Sequence, residues 1–132
     1  MQTSKQALGA LGERVAARWL AHKGWWIRDR RFRSGHRDID IVAQRRELVA
    51  FVEVKARSGD RFGDPVEAVN WEKQRELRRS AQVWVSRFGL PGENYRFDVV
   101  GVLVSPLGVR VKHVENAFRI TSVIVVLSGV VS

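Results

Sequence analysis

The stretch Asp38–Lys55, DIDIVAQRRELVAFVEVK, decides how the rest of the chain is read. Its two apolar runs, Ile39, Ile41, Val42 and then Val49, Phe51, Val52, Val54, are rich in β-branched residues and have strand composition. Gln44-Arg45-Arg46-Glu47 is the only polar break between them. A turn centred between Arg46 and Glu47 makes a hairpin in which Asp40 stands opposite Glu53, and Asp38 opposite Lys55. Side chains alternate faces along a strand, so Glu53 and Lys55 share a side, as do Asp38 and Asp40. The hairpin is therefore expected to gather three carboxylates and an ammonium into one cluster.

Such a cluster is costly. Two carboxylates ~5 Å apart repel by about 3 kcal/mol at an effective dielectric near 20. The apolar neighbours imply partial burial, where desolvation adds to the cost. Lys55 supplies one balancing charge, and a divalent cation such as Mg²⁺ or Mn²⁺ would supply the rest through oxygen ligands. The purely structural alternative is a salt-bridged hairpin in which Asp38 simply pairs with Lys55.

Asp40, twelve residues, and then Glu53-Val54-Lys55 resembles the Asp…Glu-x-Lys signature of the PD-(D/E)xK nucleases, the restriction-endonuclease-like superfamily. More closely, an ordered set of segments resembles the YraN family of small bacterial proteins. These are Gly12-Glu13, Asp38-Ile39-Asp40-Ile41, Phe51-Val52-Glu53-Val54-Lys55, Phe62-Gly63 with Glu67-Ala68-Val69, and Arg96-Phe97-Asp98-Val99-Val100. They cover roughly residues 9 to 118. At Asp38 that family usually carries glutamate, which has the same charge on a longer arm.

The resemblance implies an α/β restriction-endonuclease-like core, a mixed central sheet of about five strands flanked by helices. That architecture also accounts for a hairpin that is apolar on both faces. The implied activity is Mg²⁺-dependent (or Mn²⁺-dependent) phosphodiester hydrolysis on DNA. Asp40 and Glu53 would hold the metal, with Glu13 and the Val54 carbonyl as further ligands. Lys55 would orient the attacking water and stabilise charge on the phosphate, kept protonated by the adjacent carboxylates. Asp38 is a secondary candidate. Lys73 and Gln74 are others, because relatives of this fold use a polar residue on the corresponding helix. By analogy with archaeal Holliday-junction resolvases, branched DNA and a homodimer are expected.

At 132 residues with 45% hydrophobic content, the chain is expected to form one domain over residues 1 to 118, followed by an apolar tail at 119 to 132. Lys and Arg total 23 against 14 Asp and Glu, a net +9 that points to a polyanionic partner. The absence of cysteine excludes disulfides and thiolate metal sites. His22, His36 and His113 have no zinc-site spacing, and no glycine-rich phosphate loop supports nucleotide hydrolysis. No apolar run approaches the ~20 residues that span a bilayer, and no signal core opens the chain. A cytoplasmic protein without membrane contact is expected.

Along the chain, residues 4 to 23 read as a helix with Leu8, Leu11, Val15 and Trp19 on one stripe, stopped at Gly24. Glu13 heads a neighbouring row, as a ligand or as a solvated edge residue. A strand over residues 25 to 32 runs into Arg28, Arg30, Arg31, Arg33 and Arg37, five arginines in ten residues. Their planar forks suit phosphate oxygens, though a charged edge strand also blocks aggregation. Arg57, just past the motif, joins them as a nucleic-acid contact. After the loop at 56 to 63, Asp64-Pro65 and Asn70 signal a short turn and a helix to about Phe88. Its expected apolar face is Leu77, Ala81, Trp84, Val85 and Phe88. Residues 95 to 104 and 109 to 114 read as two further strands, with Asp98 in a structural role. Of the five tryptophans most are read as core, but Trp25 and Trp26 must face opposite ways, leaving one able to stack a base. A non-catalytic nucleic-acid-binding module, or an interaction subunit of a DNA-processing complex, is the alternative to a nuclease.

Overall fold

The structure, a computed structural model, describes residues 4–118; the tail read at 119 to 132 lies outside the described residues. Its centre is the expected hairpin, β2 (Ile39–Arg45) and β3 (Leu48–Ser58), paired antiparallel from Arg45–Leu48 to Ile41–Val52. That is the register the turn arithmetic requires. Arg46 takes the turn with φ 55°. Around the hairpin stand α1 (Ser4–His22), β1 (Trp26–Phe32), a 3₁₀ turn (Val66–Ala68), α2 (Trp71–Phe88), β4 (Asn94–Ser105) and β5 (Gly108–Phe118).

The five strands lie in sequence order across one sheet. All neighbours are antiparallel except β3 and β4, which run parallel. Parallel neighbours need a crossover, and α2 provides it. Both strands of the hairpin are consequently interior and apolar on both faces.

Each face carries its own core. Ala16, Ala17 and Leu20 of α1 pack with Trp25, Ile41, Ala50, Val52 and Val100 on one side. Leu77, Ala81, Trp84 and Val85 of α2 pack with Val42, Phe51, Phe97 and Val99 on the other. Gly24, at φ 93°, ends α1, and Trp25 N–H donates to Leu20 O at 3.0 Å, a Schellman closure. Asn70 starts α2 by accepting the Lys73 N–H at 2.9 Å. The Asp64 carboxylate accepts from Val66 N–H, but that turn stops at Ala68.

Two aromatic expectations change. Phe88 is 46% exposed, touching the core through the rings of Phe32 and Trp84, because α2 ends there at Gly89. Of the tryptophans, Trp25 and Trp84 are buried and Trp26, facing the opposite way from Trp25 as expected, is 66% exposed; the change is Trp71, which is 69% exposed. Trp71 opens α2 before the helix reaches the core, and its ring lies under the Arg78 guanidinium.

Helix α1 sits unusually close to the sheet at Gly12, where an added Cβ would stand 2.6 Å from Ala56 Cβ. That neighbour is fixed to the β3 backbone and cannot rotate away. Replacing glycine by alanine in a helix returns at most about 1 kcal/mol of propensity, whereas overpacking costs about 1–3 kcal/mol. Gly12→Ala is therefore expected to lower the melting temperature by several degrees in a calorimetric scan, despite its better helix propensity.

Candidate active site

The hairpin pairs as a ladder only as far as Ile41 and Val52. At the next step Val54 N–H donates instead to the Asp40 carboxylate, Oδ2 at 2.7 Å. A side chain has replaced a strand carbonyl, and β2 and β3 part there. Both polar backbone groups of a strand residue face the same neighbour, so the Val54 carbonyl is also directed into the gap. Glu53 and Lys55 flank Val54 on the opposite pleat.

The gap opens into a cleft of about 580 Å³ lined by Asp40, Glu53, Val54, Lys55 and Arg31 and by one row of α1. That row is Gln6, Gly9, Ala10 and Glu13, which share a helical face by i+3, i+4 and i+7 spacing. The small residues at 9 and 10 keep the cleft open. Counting back from Glu13 at the same spacing reaches these lining residues in the sequence.

Glu53 is 7% exposed, and Asp40 lies beside it. Burial, and then the hydrogen bond and negative charge of Glu53, push the Asp40 carboxyl up to about 8. The Val54 N–H and Glu13 pull the other way without prevailing. Lys55 moves down from its ordinary value, because burial outweighs the favourable charges of Glu53 and Asp40, and Lys73 adds repulsion. The adjacent carboxylates alone would raise Lys55, and desolvation reverses that direction.

Glu13 reaches the cleft, but its carboxylate is engaged by Arg31 at 2.7 Å. Arg31 itself adopts φ 54°, a turn in the strand that swings it over the cleft. Among the described residues no three His, Cys, Asp or Glu side chains stand together in metal-holding geometry. What the site offers is two carboxylates, one backbone carbonyl and open space. That is a fit for a hard cation that keeps several waters.

Other members of the expected cluster are elsewhere. Asp38 precedes β2, is 46% exposed and lies 3.6 Å from Arg33 Nε. It is not among the residues lining the cleft, and it does not pair with Lys55, since the strands have already separated. Lys73 Nζ and Gln74 Nε2 donate to the carbonyls of Ala68 and Val69. Both anchor the 3₁₀ turn; Lys73 acts on the site only through its charge on Lys55.

The arginine run divides in two. Arg30, Arg31 and Arg33 are exposed, as is Arg57 on β3. Arg28 is not: the β1–β2 register slips between Ile27 and Asp29, and this bulge turns Arg28 inward. It pairs with buried Glu93 at 2.7 Å and lies over the Trp84 ring at 4.6 Å. Arg37 is held by Glu76 at 2.9 Å, and its backbone is fastened to buried Ser80. Both arginines are thus engaged within the fold, Arg28 largely shielded and Arg37 about one-third exposed. Neither Glu93 nor Ser80 was marked in advance, because their partners lie far away in sequence. Asp98 keeps the structural role expected of it, accepting from Asn116 N–H at 2.9 Å and contacting His113 Nε2 at 2.7 Å.

Known proteins resemble this chain along most of its length. A 45% identical protein from Nocardia farcinica matches over 102 residues, covering 77% of this chain and 80% of its own. One from Alkaliphilus metalliredigens is 39% identical over 113 residues, covering 86% and 98%. A third, from Myxococcus xanthus, is 37% identical over 114 residues, covering 86% and 90%. All three are called UPF0102 proteins. The model of that family matches residues 12–102, which contain every side chain of the gap between β2 and β3. The chain belongs to the uncharacterised protein family UPF0102, the YraN-like proteins.

Proposed function

We propose that the protein is an endonuclease that hydrolyses phosphodiester bonds of DNA, branched DNA in particular, with Mg²⁺ or Mn²⁺. The observation that carries this reading is a pair of carboxylates, buried Glu53 and partly buried Asp40, forced together where the hairpin opens. Burying two like charges side by side is destabilising unless a cation balances them. A proton can balance them too: burial, and then the neighbouring Glu53, push the Asp40 carboxyl up to about 8. An all-oxygen donor set favours Mg²⁺ or Mn²⁺ over zinc.

Bound between these carboxylates, such an ion would polarise a phosphoryl oxygen and acidify a water. Asp40 and Glu53 would hold it, with the Val54 carbonyl. Glu13 would join them on release from Arg31. Lys55 would donate to the phosphate and stabilise charge that develops there. Arg31, at the cleft rim, and exposed Arg30, Arg33 and Arg57 would draw the polyanion in.

Proton and metal then compete for one site. The folded-state pKa of Asp40 lies above its unfolded value, so the native state binds the extra proton between about pH 4 and pH 8. The stability of the metal-free protein is expected to fall as pH rises across that window, and Asp40→Asn is expected to flatten the fall. Added Mg²⁺ should raise the melting temperature more at pH 8 than at pH 6, because its ligand must be deprotonated. Equal shifts in native protein and in Asp40→Asn with Glu53→Gln would put the ion elsewhere.

Binding and cutting separate by residue. Replacing Arg30 and Arg33 with alanine is expected to flatten the log–log salt dependence of DNA binding by up to ~2 units, measured by fluorescence anisotropy. Arg28→Ala should leave that slope alone and lower the melting temperature instead. Lys55→Ala should scarcely change binding yet abolish metal-dependent cleavage, since its role arises in the transition state. Binding without cleavage by the native protein under either metal would favour the non-catalytic module.

A further inference from the structure

Lys55 lines two cavities. Beyond the cleft, along β3, lies a second one of about 240 Å³, walled by the loop that leads from β3 to the 3₁₀ turn. Arg57 and Arg61 contribute its cations, and Phe62, Pro65, Val102 and Leu103 make its apolar lining. Asp64, the one carboxylate among the described residues that line it, already accepts from Val66 N–H at 3.0 Å. The loop lies hard on the sheet at Gly101: a Cβ there would come within 2.8 Å of Pro65 Cγ and 3.5 Å of Phe62 Cε1. Arg110 of β5 fastens it from the far side, donating to Asp60 O at 2.7 Å and lying 5.4 Å from the Phe62 ring. The cavity is thus held open by packing and hydrogen bonds.

An apolar lining with cations beside it suits a nucleotide, with the base against the aromatic and aliphatic side chains and the phosphate against the cations. Glu53, Lys55 and Arg57 alternate onto one side of β3 in steps of roughly 6.6 Å, close to the spacing of successive phosphates along an extended strand. A polynucleotide whose phosphate lies at Lys55 would bring its next nucleotide to Arg57. A base held in a duplex cannot enter a walled cavity without leaving its stack and its partner.

Resting on the nuclease reading above, we propose that this cavity takes an unpaired nucleotide next to the scissile phosphate, so that the protein prefers DNA with a single-stranded or flapped nucleotide at the cut. Phe62 stacks the base, and Arg57 and Arg61 hold the flanking phosphate. The duplex arms then lie outside, against the exposed arginines of β1.

The test uses the full chain in EDTA, so that nothing is cut, and a duplex bearing one 2-aminopurine either in a flap or fully paired. Native protein is expected to bind the flapped duplex about tenfold more tightly, with quenching of the 2-aminopurine fluorescence. Phe62→Ala should abolish the preference and the quenching; Phe62→Trp should keep both. Arg61→Ala should weaken binding and lower the salt slope by ~1. Equal binding of the two DNAs, or a preference that survives Phe62→Ala, overturns the inference. So does quenching by free 2-aminopurine nucleotide as tight as by the flapped strand, which would identify a mononucleotide site. Cleavage is read separately with Mg²⁺ or Mn²⁺. Cutting without flap preference in binding leaves the nuclease and removes the cavity's role; flap preference without cutting does the reverse.

Discussion

The hydrogen bond from Val54 N–H to the Asp40 carboxylate ends the pairing of the central hairpin and fixes what that end of the sheet can do. A backbone donor in a sheet interior must be satisfied, and here an acidic side chain satisfies it. Three consequences follow from the one contact. Asp40 is immobilised in a poorly solvated place, Glu53 is brought against it, and the Val54 carbonyl loses its strand partner on the same side. Stability alone does not favour this arrangement. Ordinary pairing through a backbone carbonyl would leave no buried like charges.

The charge of the chain is also less superficial than its total suggests. Arg28, Arg37 and Arg31 each meet a glutamate, Glu93, Glu76 and Glu13 respectively, and each pair joins distant parts of the sequence. The Arg28–Glu93 pair is nearly dry and satisfied on several sides: Glu93 also accepts from Leu90 N–H and Tyr95 Oη. Removing either partner would leave the other buried and uncompensated, the expensive case for an ion pair. Arginine therefore serves this fold twice, as strut and as outward charge, and Arg31, tied to Glu13 yet exposed, belongs to both groups.

The hairpin, its register and the β-β-β-α-β-β course from residue 26 onward were legible in the sequence, because they rest on local signals. Apolar alternation, a single polar break, Gly24 and Asn70 each act within a few residues. The two carboxylates and Lys55 could be brought together on that basis alone. What escaped were departures from regularity. The bulge at Arg28 turns one arginine of the run to Glu93, and the parting of the strands leaves Asp38 with Arg33 rather than Lys55. For Lys55 the raising effect of its neighbours can be counted from sequence, but the burial that opposes it cannot. Glu93 and Ser80 acquire meaning only from partners 65 and 43 residues away.

The strand that carries Glu53 and Lys55 has one neighbour close in sequence and one remote. On one side β2 joins it through a tight turn, a contact that closes in microseconds. On the other it pairs in parallel with β4, each residue with one 46 positions later, from Leu48–Asn94 to Ser58–Val104. Such pairing must await the helix between them and the closing of a long loop. During folding, β3 is thus an apolar strand with an open edge until β4 arrives, and that interval is when strand-to-strand association between chains is easiest. The exposed arginines near the same hairpin carry like charge, which opposes such association. Their charge has work to do before any ligand is met.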